Sequence, residues 1–201
     1  MAAIEQKTQQ KSSGSRKTVD KWKKKKWFTI LSSKIFDKKP LCETPGEKPK
    51  NIMDRTFKTT MDMVTGQRTK RDYVLSFKVN DIQGQTASTV ISKFEVNKGT
   101  LGRTVRRRNS KVGLVEKLSV VGGEGKVNMV IVTERKATKS QETAIRDILH
   151  KEMLSLNGKD FEDICKELLL GNFVSELAKK ASKICSVKRA IPVKAQFTEK
   201  K

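Results

Sequence analysis

Two hydrophobic periods divide this chain, and their order constrains its fold more than any other feature. Up to about Thr133 apolar residues recur at strand spacing or in β-branched runs; from Ser140 to Ile184 they recur at helical spacing; Val187 to Phe197 is basic and β-branched again. Tyr73, Leu75, Phe77 and Val79 alternate with Ser76, Lys78 and Asn80, which sets one sheet face in a core and the other in solvent. Phe57, Met61 and Met63 share one parity between Arg55 and Val64, and Thr65-Gly66 closes that run as a turn would, predicting a strand. Asp81 to Gln85, with Gly84, reads as a turn into a third strand near Thr86 to Phe94, giving a meander. Val112 to Val121 and Lys126 to Thr133, joined by Gly122, Gly123, Glu124 and Gly125, predict a hairpin.

Ser140 is the expected cap of a first helix carrying Ala144, Ile145, Ile148, Leu149 and Met153 on one face, with Asn157-Gly158 as its stop. Asp160 opens a second with Phe161, Ile164, Cys165, Leu168 and Leu169, and Phe173 to Ile184 forms a third after Gly171-Asn172. Strands first, then three packed amphipathic helices and a returning strand, is the signature of an α+β fold.

The chain edges follow from composition. Residues 1 to 22 are mostly Gln, Lys, Ser, Thr and Gly, too poor in apolar groups to offset the ordering cost of about 1–2 kcal/mol per residue, so a basic flexible arm is expected. One domain is expected over 23–198, β-rich at 27–134, helical at 140–185, with a final strand at 187–197. Pro40, Pro45, Gly46 and Pro49 predict a loop after the first apolar cluster.

Charge indicates the partner. A formal net charge of +22 on 201 residues brings self-repulsion that a polyanion relieves, and nucleic acid is the first polyanion to consider. The excess is clustered. Lys23, Lys24, Lys25 and Lys26 run beside Trp22 and Trp27, aromatic groups suited to stacking on unpaired bases or to anchoring the arm. Arg103, Arg106, Arg107, Arg108 and Lys111 lie in a stretch with no acid between Glu95 and Glu116, and guanidinium forks grip phosphate oxygens in pairs. Arg135, Lys136 and Lys139 precede a helix N-terminus, and Lys188, Arg189 and Lys194 form a fourth cluster.

Catalytic chemistry is not legible. Gly122, Gly123, Gly125 and Lys126 lack the spacing and the hydroxyl residue of a phosphate loop. Gly99-Thr100-Leu101-Gly102 has the spacing of a nucleotide-clamping GXXG loop but follows a strand where that loop must join two helices. His150, the lone histidine, has no partner for metal or nucleophile, and Glu142, Asp147 and Glu152 are spaced to pair with Arg146 and Lys151 along a helix. Cys42, Cys165 and Cys185 are odd in number and widely spaced, predicting neither a disulfide framework nor a zinc site. No metal, no cofactor and no small-molecule substrate is expected. The start shows no apolar leader and no run reaches the ~18 residues of a membrane span, so a reducing cytoplasm is the expected setting.

Lys-Lys-Trp-Phe at 25–28, Lys34-Ile35-Phe36, Glu43-Thr44-Pro45, Val105-Arg106-Arg107 with Ser110-Lys111, Thr138-Lys139-Ser140-Gln141, Ala144-Ile145-Arg146 and Ser175-Glu176 stand in an order that resembles archaeal-type members of the eukaryotic and archaeal small-subunit ribosomal protein one family, also called the three-A-e ribosomal proteins. The likeness runs over about residues 23–197. It implies a β-barrel-like core with flanking helices, seated on the platform of the small ribosomal subunit near the messenger exit and the 3′ end of the small-subunit RNA. Implied partners are that RNA, neighbouring platform proteins, and messenger RNA near the exit. The role expected is structural, without catalysis. The expected RNA ligands are Lys23 to Lys26, Trp27, Arg103, Arg106 to Arg108, Ser110, Lys111, Arg135, Lys136, Lys139, Lys188 and Arg189. The rival readings are a free single-stranded RNA-binding module or RNA chaperone, and, more distantly, a nuclease, for which the clustered acids are missing.

Overall fold

The computed structural model describes residues 21–199, so all but the last two residues of the expected arm at 1–22 lie outside the described residues. Eight strands form one sheet: β1 Lys26–Leu31, β2 Pro40–Gly46, β3 Thr56–Thr60, β4 Tyr73–Gln83, β5 Thr86–Val96, β6 Lys111–Val120, β7 Gly123–Thr133 and β8 Val187–Glu199. Among the described residues five α-helices accompany them: α1 Met61–Thr65, α2 Lys98–Thr104, α3 Lys139–Leu154, α4 Phe161–Leu169 and α5 Phe173–Ser182.

The meander β3-β4-β5 and the hairpin β6-β7 form as the alternation predicts, and the chain returns through β8, which pairs antiparallel with both β7 and β5. The hairpin turn is tighter than expected. Val121-Gly122 alone makes it, with Gly122 at φ 85°, while Gly123 to Gly125 already belong to β7. These two strand positions are glycine because neighbours crowd them: a Cβ on Gly123 would run into the Thr198 carbonyl oxygen, and one on Gly125 would stand 2.8 Å from the Val120 side chain.

The barrel expectation is corrected, because the sheet stays open. Its order is β2-β1-β5-β8-β7-β6, with β3 and β4 branching from β5. One edge of β5 is taken by β4 along its length. The other is shared between β1, parallel at Thr86 and Ala87, and β8, antiparallel at Lys93 to Glu95. The end strands β2 and β6 do not meet.

Two local expectations are also corrected. The proline-rich stretch is not a loop: among the described residues Pro40 to Gly46 is an edge strand paired with β1, a sheet position that tolerates the missing N–H groups. The strand expected over 55–64 ends at Thr60, where the chain turns into α1, with Gly66 at φ 74° as its left-handed cap. Met61 and Val64 are buried there while Met63 is 78% exposed, a helical burial pattern that the shared parity of 57, 61 and 63 concealed.

All three long helices pack on one face of the sheet. Thr138, not Ser140, caps α3: its hydroxyl accepts from the Gln141 N–H and the Gln141 side chain accepts from the Thr138 N–H, a reciprocal capping box. Ile145, Leu149 and Met153 are fully buried beneath α3, each contributing about 1.5–3 kcal/mol. They join Phe77, Phe94, Met129, Ile131, Ile164, Leu168 and Leu177 in the main core. A smaller core of Phe28, Ile30, Ile52, Val79 and Ala87 fastens β1 to the meander. Between β1 and β8 the part of the β5 edge left without a strand partner is met by α4, where the Glu162 carboxylate accepts from the Ser33 hydroxyl at 2.5 Å and from the Ile91 N–H at 3.3 Å.

Candidate nucleic-acid interface

Three basic clusters far apart in sequence arrive at one end of the sheet, where β6 begins, β7 ends and β8 begins. Lys111 pairs with Val132, and Val132 with Arg189, so Lys111 and Arg189 flank one β7 residue on a common face. Lys188 donates to the Thr104 carbonyl at 3.3 Å, tying the start of β8 to the end of α2. Arg103, near the end of α2, reaches Asp72 at 3.8 Å and Thr100 at 3.3 Å. A shallow cleft of about 360 Å³ opens between them, lined by Asp72, Thr100, Arg103, Thr104, Lys188 and Arg189. The Tyr73 hydroxyl beside it titrates above its usual value through burial and the Asp72 charge, against an opposing pull from Arg189.

From α2 the chain enters a turn in which the Asn109 N–H donates to the Arg106 carbonyl at 3.0 Å. Arg106, Arg107 and Arg108 are all exposed there, and no carboxylate among the described residues forms an ion pair with them. The turn is fixed from below. The buried Thr133 hydroxyl accepts from the Ser110 N–H at 3.0 Å and donates to the Arg135 carbonyl at 2.6 Å, and the Thr133 N–H donates to the Ser110 carbonyl at 3.0 Å. The Ser110 hydroxyl accepts from the Ala137 N–H at 3.0 Å. Ser110, expected to be an RNA ligand, is thus engaged inside the protein, where it seats the arginine turn beside Arg135, Lys136 and Lys139. Those three cations are exposed and lead into α3. The capping box already engages part of that helix N-terminus, so the anion attraction expected there rests mainly on the side-chain charges.

Lys23, Lys24, Lys25, Lys26 and Trp27 do not join this group. They precede or open β1, which runs parallel to β5 beginning at its Thr86 end, whereas α2 leaves β5 beyond Val96. Ten residues of strand separate the two sites, on the order of 30 Å. Trp22 and Trp27 are 64% and 60% exposed, so neither ring is anchored in the core, and the Lys25 ammonium sits 3.7 Å from the Trp22 ring centroid. Lys194 lies farther along β8, opposite Glu95 and Asn128. Sequence reasoning passed over the basic residues spread singly along the strands, among them Lys58, Lys93 and Lys117, and weighed Lys126 only as part of a phosphate loop. Only the strand pairing reveals that these are neighbours.

The residues weighed for catalysis are placed in structural roles. Gly99 to Gly102 lie within α2. The His150 Nδ1 is 2.8 Å from the Glu116 carboxylate, Arg146 pairs with Glu142, and Glu152 pairs with Lys180 of α5 rather than with Lys151. Among the described residues no group of three or more His, Cys, Asp or Glu is placed to hold a metal, and no helix is long and apolar enough to cross a membrane.

Residues 13–200 match the model of the Ribosomal S3Ae family. The chain is similar to the small ribosomal subunit protein eS1 of Archaeoglobus fulgidus, 32% identical over 85% of this chain and 82% of that protein. It is likewise similar to the eS1 proteins of Methanothermobacter thermautotrophicus, 28% identical over 92% of this chain and 95% of that protein, and of Halorubrum lacusprofundi, 32% identical over 82% and 78%. With the family model covering nearly the whole described chain and relatives aligned along most of their own length, this chain belongs to the Ribosomal S3Ae family of ribosomal proteins.

Proposed function

We propose that this chain is a structural constituent of the small ribosomal subunit in the cytoplasm, holding ribosomal RNA chiefly through phosphate contacts at the end of the sheet where β6, β7 and β8 meet. The observation that carries this reading is the convergence of Arg103, Arg106 to Arg108, Lys111, Arg135, Lys136, Lys139, Lys188 and Arg189 on one exposed surface, with Asp72 the acid within reach of Arg103. Clustered cations without internal counter-charges release condensed counterions when they meet a phosphate backbone, which supplies affinity without reading sequence. The chain is not an enzyme, in keeping with a family of ribosomal proteins.

The platform near the messenger exit, the 3′ region of the small-subunit RNA and the neighbouring platform proteins are the surroundings that the family resemblance suggests. Lys23 to Lys26 and Trp27 form a second contact, remote from the first. The exposed rings of Trp22 and Trp27 suit unpaired bases there, which also keeps a free single-stranded RNA-binding module or RNA chaperone as the rival reading.

Sucrose-gradient sedimentation of a lysate separates the two. Co-migration with small subunits through a high-salt wash is expected of a subunit constituent. Confinement to the top fractions would overturn that reading in favour of the free module.

A further inference from the structure

The face of the sheet turned away from α3, α4 and α5 carries a row of cations that follows strand pairing. Directly paired residues share a face, so the registers Lys58↔Ser76, Ser76↔Lys93, Lys93↔Gln196, Gln196↔Lys126 and Lys126↔Lys117 set these six side chains side by side across β3, β4, β5, β8, β7 and β6. Five inter-strand steps make the row about 24 Å long. Their neighbours in sequence fix which face this is. Glu116, next to Lys117, meets His150 of α3, and Phe197, next to Gln196, stacks 5.5 Å from Phe161 of α4. The row therefore lies opposite the helices.

An adjoining row, Glu95, Lys194, Asn128 and Val115, adds another lysine, and between the two rows lies a shallow depression of about 280 Å³ lined by Val115, Lys126, Asn128, Lys194 and Gln196. Glu95 pairs with Lys93. Even so, the Lys93 ammonium is held below its ordinary pKa by burial and by the charges of Lys194 and Lys58. The lysines thus crowd one another in the free protein, and an anion along the row relieves that crowding.

We infer that this lysine row is a further, sequence-independent track for the phosphate backbone of ribosomal RNA, distinct from both the arginine-rich end of the sheet and the lysine run before β1. The inference rests on the RNA-binding reading above and extends it to a different surface. The composition favours RNA over a protein partner. Lysine is depleted from the centres of protein interfaces, whereas amide and hydroxyl groups interleaved with ammonium ions match phosphate and sugar contacts. The row contains no aromatic ring, so backbone contact rather than base stacking is assigned to it.

The test titrates full-length protein against small-subunit RNA over a range of salt, using wild type, a row variant (Lys58→Gln, Lys93→Gln, Lys117→Gln, Lys126→Gln) and an end variant (Arg106→Ala, Arg107→Ala, Arg108→Ala). Four lost phosphate contacts reduce the magnitude of the log K against log[salt] slope by about three units, and the reductions in the two variants add when combined. A wild-type slope in the row variant with a flattened slope in the end variant would overturn the row and leave the end patch standing. Wild-type slopes in both would overturn both. Lysine acetylation of the wild-type protein, read by mass spectrometry, keeps the test independent of how the variants fold. Several-fold protection of Lys117 and Lys126 by RNA alone is expected, and protection only in the assembled subunit would overturn RNA as the occupant.

Discussion

Ser110 and Thr133 grip each other twice, the Ser110 N–H donating to the Thr133 hydroxyl and the Thr133 N–H to the Ser110 carbonyl, each at 3.0 Å. Through this pair the arginine turn at 106–108 is seated on the strand that delivers Arg135 to Lys139. Thr133→Val keeps the shape of a fully buried β-strand residue but removes the hydroxyl, leaving the Ser110 N–H and the Arg135 carbonyl without their partner. We expect a loss of about 1–3 kcal/mol in denaturant unfolding. An unchanged midpoint would show that the hydroxyl does not hold the turn.

Glu162 performs a comparable task where the open edge of β5 passes from β1 to β8. Its carboxylate accepts from the Ser33 hydroxyl and the Ile91 N–H, so Glu162→Ala strands a backbone donor in a partly buried seam. The expected cost is about 1–3 kcal/mol, with faster hydrogen exchange at Ile91 than at Phe94, whose residue pair with Ala195 is untouched. Uniform exchange rates along β5 in the variant would contradict this role.

The three cysteines give a probe of the helical layer. Cys165 is fully buried under α4, and burial together with the Glu162 charge pushes its thiol well above the usual range, while Cys42 is exposed. Thiolate is the reactive form, so at mildly alkaline pH an alkylating reagent is expected to label Cys42 in the native protein and Cys165 only at the rate of unfolding. Equal labelling of Cys42 and Cys165 without denaturant would mean that α4 opens readily.

At Gly123 the neighbouring β8 backbone leaves no room for a side chain. Gly123→Ala places a Cβ against the Thr198 carbonyl and the Phe197 ring, and backbone cannot yield as a flexible side-chain tip can. A destabilisation of about 1–3 kcal/mol is expected by denaturant unfolding. Gly102→Ala, in open space within a helix, is the matched control and is expected to be neutral or mildly stabilising.

Much of this fold was legible in local pattern. The alternation around Leu75 and Phe77 marked β4, and the helical spacing of Ile145, Leu149 and Met153 marked α3, because in each case one face of one element decides its burial. Elements governed by a neighbour were not. Pro40 and Pro45 suit either a loop or an edge strand, and only the pairing of β2 with β1 tells the two apart. Met61 to Thr65 held both strand and helix spacing in a run too short to distinguish them. At the basic surfaces, consecutive cations such as Arg106 to Arg108 were visible as a run. The row of Lys58, Lys93, Lys126 and Lys117 was not, since its members are brought together by cross-strand register alone. Ser110, expected to be a ligand because it stands among cations, also ties the turn to Thr133 and Ala137, a role that only the tertiary contacts disclose.

The central claim is that the arginine turn is a ligand for RNA phosphate rather than a strut. It is tested most directly by measuring both the salt dependence of binding to small-subunit RNA and the melting temperature of the Arg106→Ala, Arg107→Ala, Arg108→Ala variant. Exposed cations without carboxylate partners contribute little to stability, and each lost phosphate contact reduces the magnitude of the log K against log[salt] slope by about 0.7–0.9. A slope flattened by roughly two units with melting nearly unchanged is expected. A lowered melting temperature with the wild-type slope intact would contradict it.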